Sequence, residues 1–160
     1  MKDTRRHLRN QQGFTLVELM IVIAIIGILI GAAVIGWKAA QRAGNEAATL
    51  QDLRTIAAVQ IQYYNTHNRT FGTFEQLVRD GVLDAKFSGN PPVTDGYIFN
   101  LKVTPKSANQ PTSYTLNADP QVTEGTGANG RNHYFIDSAA GTIHVNQDQP
   151  AGPNDPPLGG

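Results

Sequence analysis

The chain has 160 residues, of which 13 are basic and 13 acidic, so its formal net charge is zero. That length suits one modest domain with an additional element. The sequence contains no cysteine, which excludes disulfides and thiolate metal sites. The neutral balance also lacks the basic surplus that is typical of nucleic-acid-binding domains.

The charges are unevenly distributed along the chain. Residues 1–13 hold four basic residues and one acidic residue, a net charge of +3, whereas the remainder has 9 basic and 12 acidic residues, a net charge of −3. A basic segment in front of an apolar span is typical of a cytoplasmic N-terminus. The distribution therefore predicts that the later domain lies on the opposite side of a membrane.

A long uncharged run follows the basic segment. Residues 19–37 carry no formal charge, and a helix of that length can span a bilayer. Glu18 lies at the start of the run, where a carboxylate is costly in hydrocarbon and needs a partner. Glu18 is therefore a functional candidate.

The segment Gln11-Gln12-Gly13-Phe14-Thr15-Leu16-Val17-Glu18-Leu19-Met20 resembles the type IV pilin and pseudopilin family. The resemblance implies that prepilin peptidase cuts after Gly13. It also implies that Phe14 becomes the N-methylated mature N-terminus and that Glu18 guides assembly. It covers the first quarter of the chain. Ile35 stands where many members have proline, and the chain has no cysteine pair for the C-terminal disulfide of major pilins.

Two other interpretations of this segment are an ordinary secretory signal peptide, cut near Gly31-Ala32-Ala33, and a plain signal anchor. The uncharged run is longer than the usual apolar core of a signal peptide, and neither alternative requires Glu18. The pilin-type interpretation is therefore favoured.

Gly27 and Gly31 form a G-x-x-x-G motif within the apolar run. Such a motif permits close approach of two helices, although glycine is also common in membrane helices generally. In a filament built from bundled helices, this pair is predicted to contribute to helix packing.

The helix is predicted to continue to about residue 65, and its second half should lie on a sheet because its apolar residues recur at steps of three and four. The predicted stripe consists of Ala43, Ala47, Leu50, Leu53, Ala57, Ile61 and Tyr64.

A short helix and four strands are predicted after the long helix. Thr73 and Gln76 form a capping box, and Gly81 ends the short helix. Alternating patterns predict strands near residues 97–103, 114–118, 134–137 and 142–145. In the last hairpin, which can turn at Gly141, Ile136 could pair with Ile143 or with His144.

The predicted fold is α+β, with the long helix packed on a small antiparallel sheet of about four strands. The organisation is a basic leader (1–13), a membrane-spanning or filament-core helix (14–37) and a globular domain (38–147). A tail rich in proline and glycine (148–160) has little to bury and is predicted to be flexible.

Candidate sites for chemistry are weak. Residues 125–130 match G-x-G-x-x-G, but a strand rather than a helix follows them and no βαβ unit surrounds them, so we interpret them as a loop. The histidines lack metal-ligand spacing. Asp119, Glu124 and Asn129 are weak calcium candidates, because calcium requires six or more oxygen ligands. We therefore expect no enzymatic activity, no catalytic residue and no cofactor or metal beyond that calcium candidate.

The sequence and the resemblance together predict a structural subunit of a type IV pilus or a type II secretion pseudopilus. The expected partners are copies of itself, related pilins, prepilin peptidase, the inner-membrane assembly platform and the lipid bilayer. The expected locations are the bacterial inner membrane before assembly and a periplasmic pseudopilus or surface pilus afterwards. The alternative is a membrane-anchored periplasmic binding domain that does not polymerise. Pilus and pseudopilus are left open, as are major and minor subunit.

Overall fold

The computed structural model describes residues 13–125 and 127–159, with the backbone alone at positions 34 and 35. The leader predicted for residues 1–13 therefore lies outside the described residues except for Gly13. The chain divides into two units after Trp37. Its elements in chain order are helix α1 (Leu16–Thr66), helix α2 (Phe74–Arg79), a 3-10 helix (Ala85–Phe87), and strands β1 (Val93–Thr94), β2 (Tyr97–Thr104), β3 (Ser113–Pro120), β4 (His133–Asp137) and β5 (His144–Asn146).

Helix α1 has 51 residues without interruption. The backbone stays helical through the position where the resembling family often has proline, because isoleucine retains the N–H that a helix interior requires. In the first unit, Trp37 is 73% exposed and large apolar side chains from Phe14 to Ile30 are all exposed. Among the described residues, α1 is the one helix that is long and apolar enough to cross a membrane.

The sheet is an antiparallel meander in the order β1-β2-β3-β4-β5. The predicted α+β class is confirmed. The sheet has one strand more than the four predicted, and the additional strand is β1, whose two residues are too few to show an alternating pattern. Alternate side chains of β2, β3 and β4 point to one face, and the second half of α1 packs there. The core formed in this way includes Leu53, Ile56, Phe99, Leu116 and Tyr134.

The last hairpin adopts one of the two registers left open by the sequence. Phe135 pairs with His144 and Tyr134 with Val145. Continued outward, that register brings Ile136 opposite Ile143 rather than His144. Gly141 has a φ of +63°, the left-handed conformation that glycine adopts without steric cost.

The stripe predicted on the second half of α1 is partly wrong. Leu53 is fully buried, but Ile61 is 60% exposed, and Ala43 and Ala47 are exposed as well. The face that packs on the sheet is rotated by about one residue. Its fully or nearly buried members are Thr49, Asp52, Leu53, Ile56, Gln60 and Tyr63.

Of the three buried polar residues on this face, the side chains of Asp52 and Gln60 each have a partner. Gln60 donates to the carbonyl of Gly72 (2.7 Å) and accepts from its N–H (3.0 Å). Asp52 forms an ion pair with Lys86, with Nζ and Oδ1 2.7 Å apart. Buried polar groups are tolerated when they are hydrogen-bonded.

The short helix α2 begins and ends as the sequence predicts. Thr73 is the N-cap and forms a capping box with Gln76. Gly81 follows with a φ of +70°, and Val82 and Leu83 donate to the carbonyl of Leu77. These contacts direct the chain back toward the core.

The C-terminal segment differs from the flexible tail that its composition predicts. Ala151 is 4% exposed and its carbonyl accepts from the side chain of Asn117. Val145 donates to Pro156, and Leu158 donates to Ile143. The segment therefore covers the outer edge of β5 through backbone hydrogen bonds, which composition does not reveal.

Candidate assembly site at the start of the long helix

Glu18 belongs to a capping box at the first turn of α1. The N–H and the hydroxyl of Thr15 both donate to Oε2 of Glu18, each at 2.8 Å. The N–H of Glu18 donates in return to the hydroxyl of Thr15 at 3.2 Å. Thr15 immediately precedes the helix, so Glu18 occupies its third position, where a capping box places its acid.

This geometry gives Glu18 a local partner that the sequence analysis did not foresee. The signal was present in the sequence, since threonine followed three residues later by glutamate before an apolar run is the capping-box pattern. The carboxylate also lies near the positive end of the helix dipole, which favours a negative charge.

The junction between Gly13 and Phe14 lies before the helix begins. Both residues are exposed and have no regular secondary structure, and Phe14 is 92% exposed. The backbone on either side of this bond is therefore accessible in the described part of the chain.

Gly27 and Gly31 lie on the same side of α1, one turn apart. A Cβ built on either glycine would meet nothing within 4 Å. Within the described chain the two glycines thus leave an open, flat strip of helix surface, where a second helix could approach closely.

Two of the calcium candidates make contacts with other residues in the structure. Oδ1 of Asp119 lies 2.6 Å from Nδ1 of His133 on the neighbouring strand, and Asn129 accepts through its carbonyl from the side chain of Asn45. No group of three histidine, aspartate or glutamate side chains that could hold a metal occurs among the described residues. Calcium binding stays a prediction.

The glycine-rich segment that matches G-x-G-x-x-G has neither helix nor strand at its described positions, 125 and 127–130, and α1 contacts its start and the residues after it. Arg42 donates to the carbonyl of Gly125 at 2.8 Å. The carboxylate of Glu46 accepts from the N–H of Arg131 and from the side chain of Asn132, both at 2.8 Å. Sequence reasoning missed Glu46, because nothing local marks a helix carboxylate whose partners lie more than eighty residues away.

Comparison with known proteins agrees with these features. Residues 8–34 match the family described as the prokaryotic N-terminal methylation motif. The chain is 34% identical over 103 residues to the type II secretion system core protein G of Pseudomonas aeruginosa, an alignment that covers 61% of this chain and 69% of that protein. It is 38% identical over 102 residues to a fimbrial protein of Moraxella nonliquefaciens, covering 57% of this chain and 64% of that protein.

No solved structure matches the chain. The methylation motif, the exposed apolar helix and the extent of similarity to core protein G nevertheless lead to one assignment. The chain belongs to the type IV pilin and pseudopilin family.

Proposed function

We propose that the chain is a filament subunit, processed by prepilin peptidase between Gly13 and Phe14 and polymerised through the first half of α1. The single observation that carries the proposal is the exposure of that half. Its large apolar side chains from Leu16 to Ile30 are 47–75% exposed, so they need either lipid or other helices around them. Pilins and pseudopilins are structural rather than enzymatic, and we propose the same for this chain.

The physical basis is an exchange of one apolar environment for another. Before assembly the helix would lie in the inner membrane with its N-terminus in the cytoplasm. During assembly, helices of identical or related subunits replace the lipid around it, at little net hydrophobic cost. Gly27 and Gly31 would let neighbouring helices approach in the filament core. The assembly platform of the inner membrane would drive the extraction.

Glu18 would have two successive roles. In the uncleaved chain it caps the helix through Thr15. Cleavage after Gly13 would create a positively charged amine on Phe14, which could pair with Glu18 of the same or a neighbouring subunit. In a site partly removed from water such a pair attracts strongly and fixes the register, although desolvation offsets much of its stabilisation.

The two roles of Glu18 can be separated experimentally. Glu18→Gln keeps a side chain suited to a capping box but removes the charge, whereas Thr15→Ala removes the cap but keeps the carboxylate. Cells carrying only one variant would be examined by electron microscopy for filaments. We expect Glu18→Gln and Glu18→Ala to lose assembly and Thr15→Ala to retain it.

Mass spectrometry of the membrane-extracted subunit provides the control for processing. All three variants should start at Phe14. The two Glu18 variants remove a carboxylate from an apolar segment, which makes insertion easier, and Thr15→Ala leaves that carboxylate in place. Normal filaments from Glu18→Gln would contradict the charge role of Glu18. Normal filaments from Glu18→Ala as well would show that assembly does not need the side chain of Glu18. Filaments that do not contain this chain would favour the rival function, a membrane-anchored binding domain in which Glu18 serves only its own helix.

A further inference from the structure

One edge of the sheet is open along most of β2. Strand β1 pairs only with Tyr97 and Ile98 at the beginning of β2, and the N–H of Phe99 donates to the carbonyl of Pro92 at 2.9 Å. Since Pro91 and Pro92 have no N–H, β1 cannot extend this pairing further. Among the described residues, the rest of β2 pairs with β3 on one side alone.

The direction of the free backbone groups follows from the alternation of an antiparallel ladder. Phe99 directs its N–H away from β3, and successive odd-numbered residues share that direction. The N–H and C=O groups of Leu101 and Val103 therefore point to the open edge. The same groups of Asn100 and Lys102 point to β3.

A groove of about 810 Å³ runs along this edge. Phe74 and Val78 of α2 and Leu101 of β2 contribute apolar surface to its lining. The exposed charged side chains of Glu75 and Arg79 also line it from α2. Asn100 and Lys102 line the side that faces away from the core, and both are exposed. The groove thus offers free backbone groups together with apolar side chains and two basic side chains, Arg79 and Lys102, against the single carboxylate of Glu75.

We propose that this edge binds an extended segment of another protein, which adds to the sheet as a strand beside β2. Only a polypeptide supplies donors and acceptors at the spacing that Leu101 and Val103 present. Its side chains would alternate, with apolar residues toward Phe74 and Val78 and acidic residues toward Lys102. Four or five residues would fill the open part of the strand.

The structure argues against a second copy of this chain as the occupant. Two β2 edges that met in antiparallel fashion would bring Lys102 of both copies together near the centre of the shared segment, and like charges opposite each other are destabilising. Strand β5 is covered by the segment around Pro156 and Pro157, so that edge is occupied already. An acidic segment from a different protein removes the repulsion and gains attraction.

The test uses the full chain in detergent micelles and the peptide acetyl-Glu-Val-Glu-Val-Glu-amide. Amide hydrogen exchange would be followed by NMR at four successive residues of β2. At saturating peptide we expect exchange at Leu101 and Val103 to slow by about tenfold, which corresponds to roughly one net hydrogen bond each. Asn100 and Lys102 serve as internal controls and should not change.

Two matched controls address the backbone and the charge separately. A peptide N-methylated at both valines lacks the N–H groups that would face the edge, and it should give no protection. Lys102→Glu, a change at an exposed position, should abolish protection by the acidic peptide and restore it for the peptide in which lysine replaces each glutamate.

Three results would overturn the proposal. One is unchanged exchange at Leu101 and Val103 with saturating peptide, and another is equal protection by the N-methylated peptide. The third is protection that rises with protein concentration in the absence of peptide, since it would show that a second copy takes the edge.

Discussion

Leu53 provides the sharpest test of how α1 packs on the sheet. Its side chain is 0% exposed and belongs to the same core as Phe99 and Leu116. Truncating a buried leucine to alanine costs about 2–5 kcal/mol, from lost transfer free energy and the cavity left behind. Leu53→Asp should cost more, because it also buries a charge without a partner.

Ile61 lies two turns further along α1 and supplies the matched control. It belonged to the predicted apolar stripe but is 60% exposed. Ile61→Asp should therefore change the free energy of unfolding by no more than about 0.5 kcal/mol.

Urea unfolding of the full chain in detergent micelles, followed by the NMR signals of backbone amides in the sheet, would measure the free energy of unfolding of both variants. For a loss of about 3 kcal/mol the melting temperature should also fall by roughly 10 °C. Equal destabilisation by Leu53→Asp and Ile61→Asp would refute the rotated face and favour the stripe predicted from the sequence. Wild-type stability of Leu53→Asp would refute the packing of α1 on the sheet altogether.

Two further predictions concern buried polar groups. Burial raises the pKa of Tyr97, Tyr114 and Tyr134 above that of free tyrosine. Above about pH 10 the unfolded chain then releases protons that the folded chain keeps. Stability is therefore retained below that pH and falls above it, by at most about 1.4 kcal/mol per pH unit for each tyrosine. Urea unfolding between pH 9 and 11 should show this decline, with a shallower slope for Tyr97→Phe, and an identical slope in that variant would disprove the contribution of Tyr97. Gln60→Ala leaves the N–H and C=O of Gly72 without their buried partner and should cost about 2–3 kcal/mol in the same assay, whereas an exposed control, Gln62→Ala, should be close to neutral.

Local patterns in the sequence were sufficient for much of the fold. The capping box of Thr73 and Gln76, the left-handed Gly81 and the alternation in β2 each depend on residues within a few positions of one another. Such features carry their own physical cause, so the sequence predicts them without knowledge of the rest of the chain.

The helix face and the C-terminal segment, which the sequence misplaced, both depend on partners outside their own segments. Gln60 is buried because Gly72 lies opposite it, and Asp52 because Lys86 reaches it. An apolar pattern alone assigns these residues to the solvent and so misplaces the helix face. The C-terminal segment was misjudged for the same reason, since its order comes from backbone hydrogen bonds with β5 rather than from apolar side chains.

The candidate assembly site also contains features that the sequence predicted and features that it did not. The resemblance of the segment around Gly13, Phe14 and Glu18 was recognisable because the motif is contiguous, and the family is now established. The reciprocal contacts between Thr15 and Glu18 are equally local, although the sequence analysis did not predict them. The roles of these residues in cleavage and assembly remain proposals for the experiments above.

The capping box also bears on how Glu18 can lie at the edge of an apolar segment before assembly. A helix entering a membrane has unpaired N–H groups in its first turn, and a carboxylate there lacks water. Two hydrogen bonds from Thr15 to Oε2 of Glu18, and one returned to the hydroxyl of Thr15, address both needs within four residues. Glu18 would thus be held in place by Thr15 in the precursor and become available to the amine of Phe14 after cleavage. On this reasoning Thr15→Ala should destabilise the first turn of α1 in the membrane-inserted precursor but leave filament assembly intact. Glu18→Gln should have the opposite effect, since it keeps the cap and loses assembly.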